Sequence, residues 1–166
     1  MNKLLVGKVV GTHGIKGEIK ISPFTEISDK VFKENNILYF DNDKEYKIKS
    51  VRFHKDNYLV LLDNFNNIND ILFLVKNKVF INRDDVLTED EYVLDDLIGF
   101  EVVDSDKSYG FIKDYEINNS YATFLVEGDK KLYLPNVLEY VQKIDLKTKK
   151  VYTKNVGDLI IWKLIY

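Results

Sequence analysis

The sequence predicts an all-β protein made of two small barrels in tandem. Three observations carry that prediction. Short runs of alternating apolar and polar residues recur along nearly all of the 166 residues, polar turn clusters separate them, and one acidic stretch divides them into two similar halves. Strands this short and evenly spaced close into barrels or sandwiches, because closure removes exposed edges.

The alternation is clearest at Glu18-Ile19-Lys20-Ile21-Ser22 and Tyr46-Lys47-Ile48-Lys49, the period of a half-buried sheet. Leu4 to Val10, Ile37 to Phe40, Val51 to Phe53, Tyr58 to Leu62 and Lys78 to Ile81 complete the first half. Its turns are Asp41-Asn42-Asp43-Lys44, Lys55-Asp56-Asn57 and Asp63 through Asn67. Asn67 to Val75 departs from the pattern. Asn67 is placed as an N-cap, and Ile68, Ile71, Leu72 and Val75 share one helical face, so a short helix is predicted there, plugging a barrel end. The second half reads as strands at Gly99 to Val103, Tyr109 to Tyr115, Thr123 to Val126, Lys131 to Leu134, Tyr140 to Leu146 and Lys150 to Thr153. Trp162, the sole tryptophan, reads as core or barrel cover. The resulting division is a first barrel over 1–85, an acidic linker over 86–91 and a second barrel over 92–166. Each unit is small but above the size at which staples become obligatory.

Charge is unevenly spread over a net of -3. Between Asp84 and Asp106 lie ten acidic residues and no Lys or Arg, while the other 17 acids against all 24 bases leave the remainder at +7. Such asymmetry suits one surface to a basic partner and another to an anionic one such as RNA, although a solvated linker beside lysine-rich surfaces has the same composition. No cysteine is present, so there is no disulfide, thiolate zinc site or thiol nucleophile. With only His13 and His54, a histidine metal cage or triad is disfavoured. No apolar run approaches the ~18–20 residues of a membrane span, and the first residues do not read as a signal peptide. A cytoplasmic protein without membrane attachment, and without catalytic, cofactor or metal residues, is expected.

Four of the eight glycines fall between Gly7 and Gly17, which marks a tight loop between two strands. The loop lacks the spacing and hydroxyl of a Walker phosphate loop. Strand alternation follows it where a dinucleotide fingerprint requires a helix. Gly14-Ile15-Lys16-Gly17 mimics a KH-domain clamp, but again without flanking helices.

The block Gly7-x-x-x-Gly11-x-His13-Gly14-Ile15-Lys16-Gly17-Glu18-Ile19-Lys20 resembles the opening of the RimM family of ribosome maturation factors. Further matches follow in order: Phe24-Thr25-Glu26, Val51-Arg52-Phe53-His54, Glu91 through Gly99, Tyr109-Gly110-Phe111-Ile112, Leu134-Pro135-Asn136-Val137 and Gly157-Asp158-Leu159-Ile160. The resemblance implies a Greek-key, translation-factor-like first barrel and a PRC-type second barrel. It also implies a non-catalytic assembly chaperone for the immature small ribosomal subunit, which engages rRNA and a basic ribosomal protein of the head and assists rRNA precursor processing. The family commonly has two adjacent aromatics where this chain has Tyr92-Val93.

On this reading His13, Lys16 and Lys20 are the candidate rRNA contacts, and Tyr92, Asp95 and Asp96 the candidate contacts to the ribosomal protein. Structural alternatives stand beside each. The glycines can simply build a hairpin, Tyr92 can cap the second core, and the aspartates can open a strand. A monomer is expected, with no cofactor. The rival functions are a small-molecule or flavin-binding barrel enzyme and a two-barrel adaptor acting outside the ribosome.

Overall fold

The computed structural model describes residues 1–118 and 120–162, with side chains as far as residue 160. The chain forms two compact units, Met1–Glu91 and Tyr92–Tyr166.

The first unit contains β1 (Lys3–His13), β2 (Glu18–Pro23), α1 (Ser28–Val31), β3 (Ile37–Tyr39), β4 (Glu45–His54), β5 (Asn57–Leu62) and β6 (Lys78–Asn82). The strands close into a barrel in the order β1-β2-β5-β4-β3-β6, all neighbours antiparallel. After β2 the chain crosses to the far side and returns through β3, β4 and β5, which is a Greek-key path. β1 is long because it serves two neighbours, pairing with β6 through its first half and β2 through its second. Register shifts between Leu5 and Gly7 and between Val9 and Gly11 bend it from one partner to the other. At Gly7 a Cβ would stand 2.6 Å from the carbonyl oxygen of Ser22, so only glycine permits the approach at that bend.

Alternation places Ile19, Ile21, Val60 and Leu62 inside the barrel. The two runs Tyr46–Lys49 and Val51–Phe53 prove to be one strand, β4, with a register shift between Ile48 and Ser50. Extra residues at such a bulge interrupt the alternation and make one strand look like two.

The predicted helix at Asn67–Val75 is instead two successive 3-10 turns, Ile68–Asp70 and Leu72–Leu74. Asn67 does cap it, its side chain accepting the Asn69 N–H at 2.9 Å. The tighter pitch changes the buried face, because side chains three apart now align. Ile71 and Leu74 enter the core, while Leu72 points outward.

The second unit opens with a 3-10 turn at Leu94–Leu97. It continues through β7 (Glu101–Asp104), β8 (Lys107–Asn118), β9 (Tyr121–Glu127), β10 (Lys131–Pro135), β11 (Val141–Asp145), β12 (Lys150–Thr153) and α2 (Val156–Trp162). The sheet order is β10-β9-β8-β7-β12-β11. One core cluster draws Val102, Ile112, Phe124, Leu134, Val141 and Val151 from all six strands, so the sheet curls round a single interior, with β10 and β11 as its hydrogen-bonding ends. Every pairing is antiparallel except β12 with β7. The buried Thr153 hydroxyl fixes that parallel pair by donating to the Val103 carbonyl at 2.9 Å. The mainly-β, two-unit architecture agrees with the sequence prediction. α2 was not anticipated, and the expectation for the Trp162 side chain lies outside the described residues.

Candidate functional site

The glycine loop is the turn between β1 and β2. Gly14 and Gly17 adopt φ of +74° and +90°, a region that L side chains avoid. The Ile15 carbonyl accepts the Ile68 N–H at 3.0 Å, which ties the turn to the first 3-10 turn. A Cβ on Gly17 would stand 3.0 Å from the Asn67 carbonyl oxygen, so glycine also makes that seating sterically possible. The pinned turn projects Lys16 and Ile15 into solvent, Ile15 at 84% exposure.

Register determines what lies beside it. His13 pairs with Glu18, Gly11 with Lys20, Lys20 with Leu59, Arg52 with Leu59, and His54 with Asn57. Paired residues on antiparallel strands share a face. Since Ile19, Ile21 and Val60 face inward, His13, Glu18, Lys20, Arg52 and His54 share the outside of the barrel. The Arg52 guanidinium grips Glu18 bidentately, Nε and Nη2 donating to its two carboxylate oxygens at 3.1 and 3.0 Å. Because β5 runs between β2 and β4, this ion pair reaches across β5. Leu59, on the outer side of β5, is fully buried without belonging to the core cluster, as side chains laid across it require. The Glu18 hydrogen bonds, and then its charge, hold Arg52 still further above the ordinary guanidinium value. The imidazoles of His13 and His54 lie 6.1 Å apart between ring centroids, tilted by 54°.

Of the first set of candidates, the fold brings His13 and Lys20 onto one face and sets Lys16 on the adjoining turn. Arg52 and His54 were not assigned a role from sequence. The signal was present in Val51-Arg52-Phe53-His54, where alternation puts both polar residues on one side of a strand, but only the β4–β5–β2–β1 register carries them to His13.

In the second unit Asp95 and Asp96 take different positions. Asp96 accepts the Val93 N–H at 2.9 Å on Oδ2 and caps the 3-10 turn. Asp95 is exposed, its Oδ1 accepting the Tyr115 hydroxyl at 2.8 Å. Tyr92 is half-buried against the second core. It also lines a shallow groove of about 650 Å³ with Tyr121, Val137, Leu138, Val141 and Ile144, and Lys143 among its polar residues. Leu138 is 86% exposed there, an apolar side chain without cover. Val93, the residue after Tyr92, is buried at 4% exposure.

Among the described residues no group of three or more His, Cys, Asp or Glu is placed to hold a metal. No helix among them is long and apolar enough to cross a membrane.

Comparison with known proteins gives a consistent result. The family model for the RimM N-terminal domain matches residues 4–86. Ribosome maturation factor RimM of Staphylococcus aureus strain NCTC 8325 is 33% identical over 162 residues, covering 93% of this chain and 97% of that protein. The RimM of a bovine strain of the same species, RF122, matches to the same extent. A crystal structure of a RimM from Pseudomonas aeruginosa, described as a 16S ribosomal RNA processing protein, aligns over 95% of this chain and 99% of its own, with a TM-score of 0.47 and 20% identity.

Proposed function

The chain belongs to the RimM family of ribosome maturation factors, and from that premise we propose that it acts in the cytoplasm as a non-catalytic chaperone for the head of the immature small ribosomal subunit. In this reading the outer face of the first barrel holds rRNA phosphates through His13, Lys16 and Lys20. The second unit meets a basic ribosomal protein of the head through Tyr92 and Asp95, with Asp96 shaping the turn that carries them.

The observation that supports the reading most strongly is the convergence of His13, Lys20 and Arg52 on one barrel face beside a rigid glycine turn bearing Lys16. Lysine attracts phosphate as a point charge, and a single arginine held by Glu18 offers little base readout. Recognition is therefore of backbone and shape. Binding an arrangement of the head that exists only during assembly, more tightly than the mature one, favours that intermediate and ensures release on maturation. Assistance to rRNA processing follows from presenting the precursor in the form that nucleases cut.

The first test is the salt dependence of binding to an rRNA fragment spanning the 3′ domain. Log affinity should fall against log salt with a slope of ~0.7–0.9 per phosphate contact. Lys16→Gln with Lys20→Gln should reduce that slope by about 1–2. A salt-independent complex would contradict the rRNA half of the proposal and leave the protein partner as the whole of the interaction.

A further inference from the structure

We propose that His13, His54 and Arg52 form one recognition site for an RNA phosphodiester, and that occupying it takes up protons. The inference deepens the rRNA-contact reading above and rests on it. The chain has two histidines and two arginines, and the fold gathers three of these four residues on one outer face of one barrel. Arg52 and His54 share a face by alternation along β4, but His13 comes from the other end of a four-strand span, so no local sequence constraint brings it to them.

The geometry suits a tetrahedral anion. With N–H···O bonds of about 2.9 Å, one phosphate can accept from both rings at their 6.1 Å centroid separation. Neither imidazole is engaged in a hydrogen bond with another described residue, so each retains a ring N–H for a ligand. A phosphate between the two rings favours their charged forms, because each cation then faces an anion. Phosphate binding and protonation therefore promote each other reciprocally.

The charged neighbours set the strength of that coupling. Glu18 and Lys20 come from β2, Arg52 from β4, Lys16 from the glycine turn, and Lys55 and Asp56 from the turn after β4. Cations outnumber acids, and Glu18 is already committed to Arg52. The fork that Arg52 offers Glu18 is also the fork that binds phosphate. The pair is largely exposed on the arginine side, so exchange of carboxylate for phosphate costs little. Glu18 thus acts as an internal competitor that holds Arg52 in position until RNA arrives.

The test measures binding of the 3′-domain rRNA fragment at fixed ionic strength and several pH values between 7.5 and 5.8. Wild-type affinity should rise about 3–10-fold toward low pH. His13→Gln with His54→Gln should flatten that profile at the weak level, with an unchanged thermal midpoint showing that the fold persists. Glu18→Gln should tighten binding at every pH. Independently, the two histidine proton resonances should show titration midpoints that move upward when the fragment is added. A pH-independent wild-type affinity that still responds to Lys16→Gln and Lys20→Gln would overturn the histidine site while leaving the rRNA reading intact. Wild-type protein that binds no RNA at any pH would defeat both.

Discussion

Gly17 and Asp96 show how single residues hold the candidate surfaces in shape. Gly17 combines φ of +90° with a carbonyl oxygen 3.0 Å from where a Cβ would stand. Gly17→Ala should therefore destabilise the first unit by about 1–3 kcal/mol, read as a lower urea midpoint, and loosen the turn that carries Lys16. Asp95 and Asp96 are adjacent and chemically identical, yet their predicted effects separate. Asp96→Ala removes the acceptor of the Val93 N–H and should cost about 0.5–2 kcal/mol of stability. Asp95→Ala loses one exposed bond to Tyr115 and should leave the unfolding midpoint nearly unchanged while weakening subunit binding. Equal effects in both assays would mean that the two carboxylates are not divided between structure and contact. Sequence located both aspartates but could not divide them, because the distinction depends on which oxygen faces a backbone N–H within the turn.

At the scale of elements, the segment after β5 gives the sharpest contrast. Leu74→Ala should cost about 2–5 kcal/mol by opening a cavity in the first core, whereas Leu72→Ala should fall within about 0.5 kcal/mol of wild type. An α-helical face through Ile68, Ile71, Leu72 and Val75 requires a large effect at Leu72, so thermal unfolding of this pair distinguishes the two pitches. The Asn67 cap was legible because capping is local. The pitch was not, since apolar residues at these spacings satisfy a period of 3.6 as well as one of 3. The parallel pairing of β12 with β7 was hidden for a different reason: it joins segments about 50 residues apart, and nothing local encodes it. Near the end of the first unit, Glu91 accepts from the Lys30 ammonium at 2.6 Å and the Thr88 N–H at 2.8 Å, which hold its carboxyl below the usual value. A lowered folded value means that the stabilisation is present above the unfolded value and is lost as pH falls through the folded one. Glu91→Gln should accordingly flatten the acid limb of the first unit's unfolding curve below about pH 4.5, and an unchanged limb would show that this contact contributes nothing.

At the scale of the whole molecule, the segment 84–106 with its ten acidic residues and the +7 remainder are a property of the entire chain. Alternating strands made the mainly-β class readable, since period 2 is dictated by the pleat. Family membership was readable from the blocks around His13 and Asp95. The outer patch of the first barrel was only half readable, because Arg52 and His54 reach His13 across two intervening strands, β5 and β2. The charge division and the two candidate surfaces bear on one proposal, that the protein distinguishes an unfinished small subunit from a finished one. The most direct measurement is co-sedimentation of the purified protein with immature and mature small subunits from the same cells, across a salt series. The account predicts retention on the immature particle, declining with salt, and little on the mature one. Equal retention on both particles, or none on either by verifiably folded protein, would contradict it.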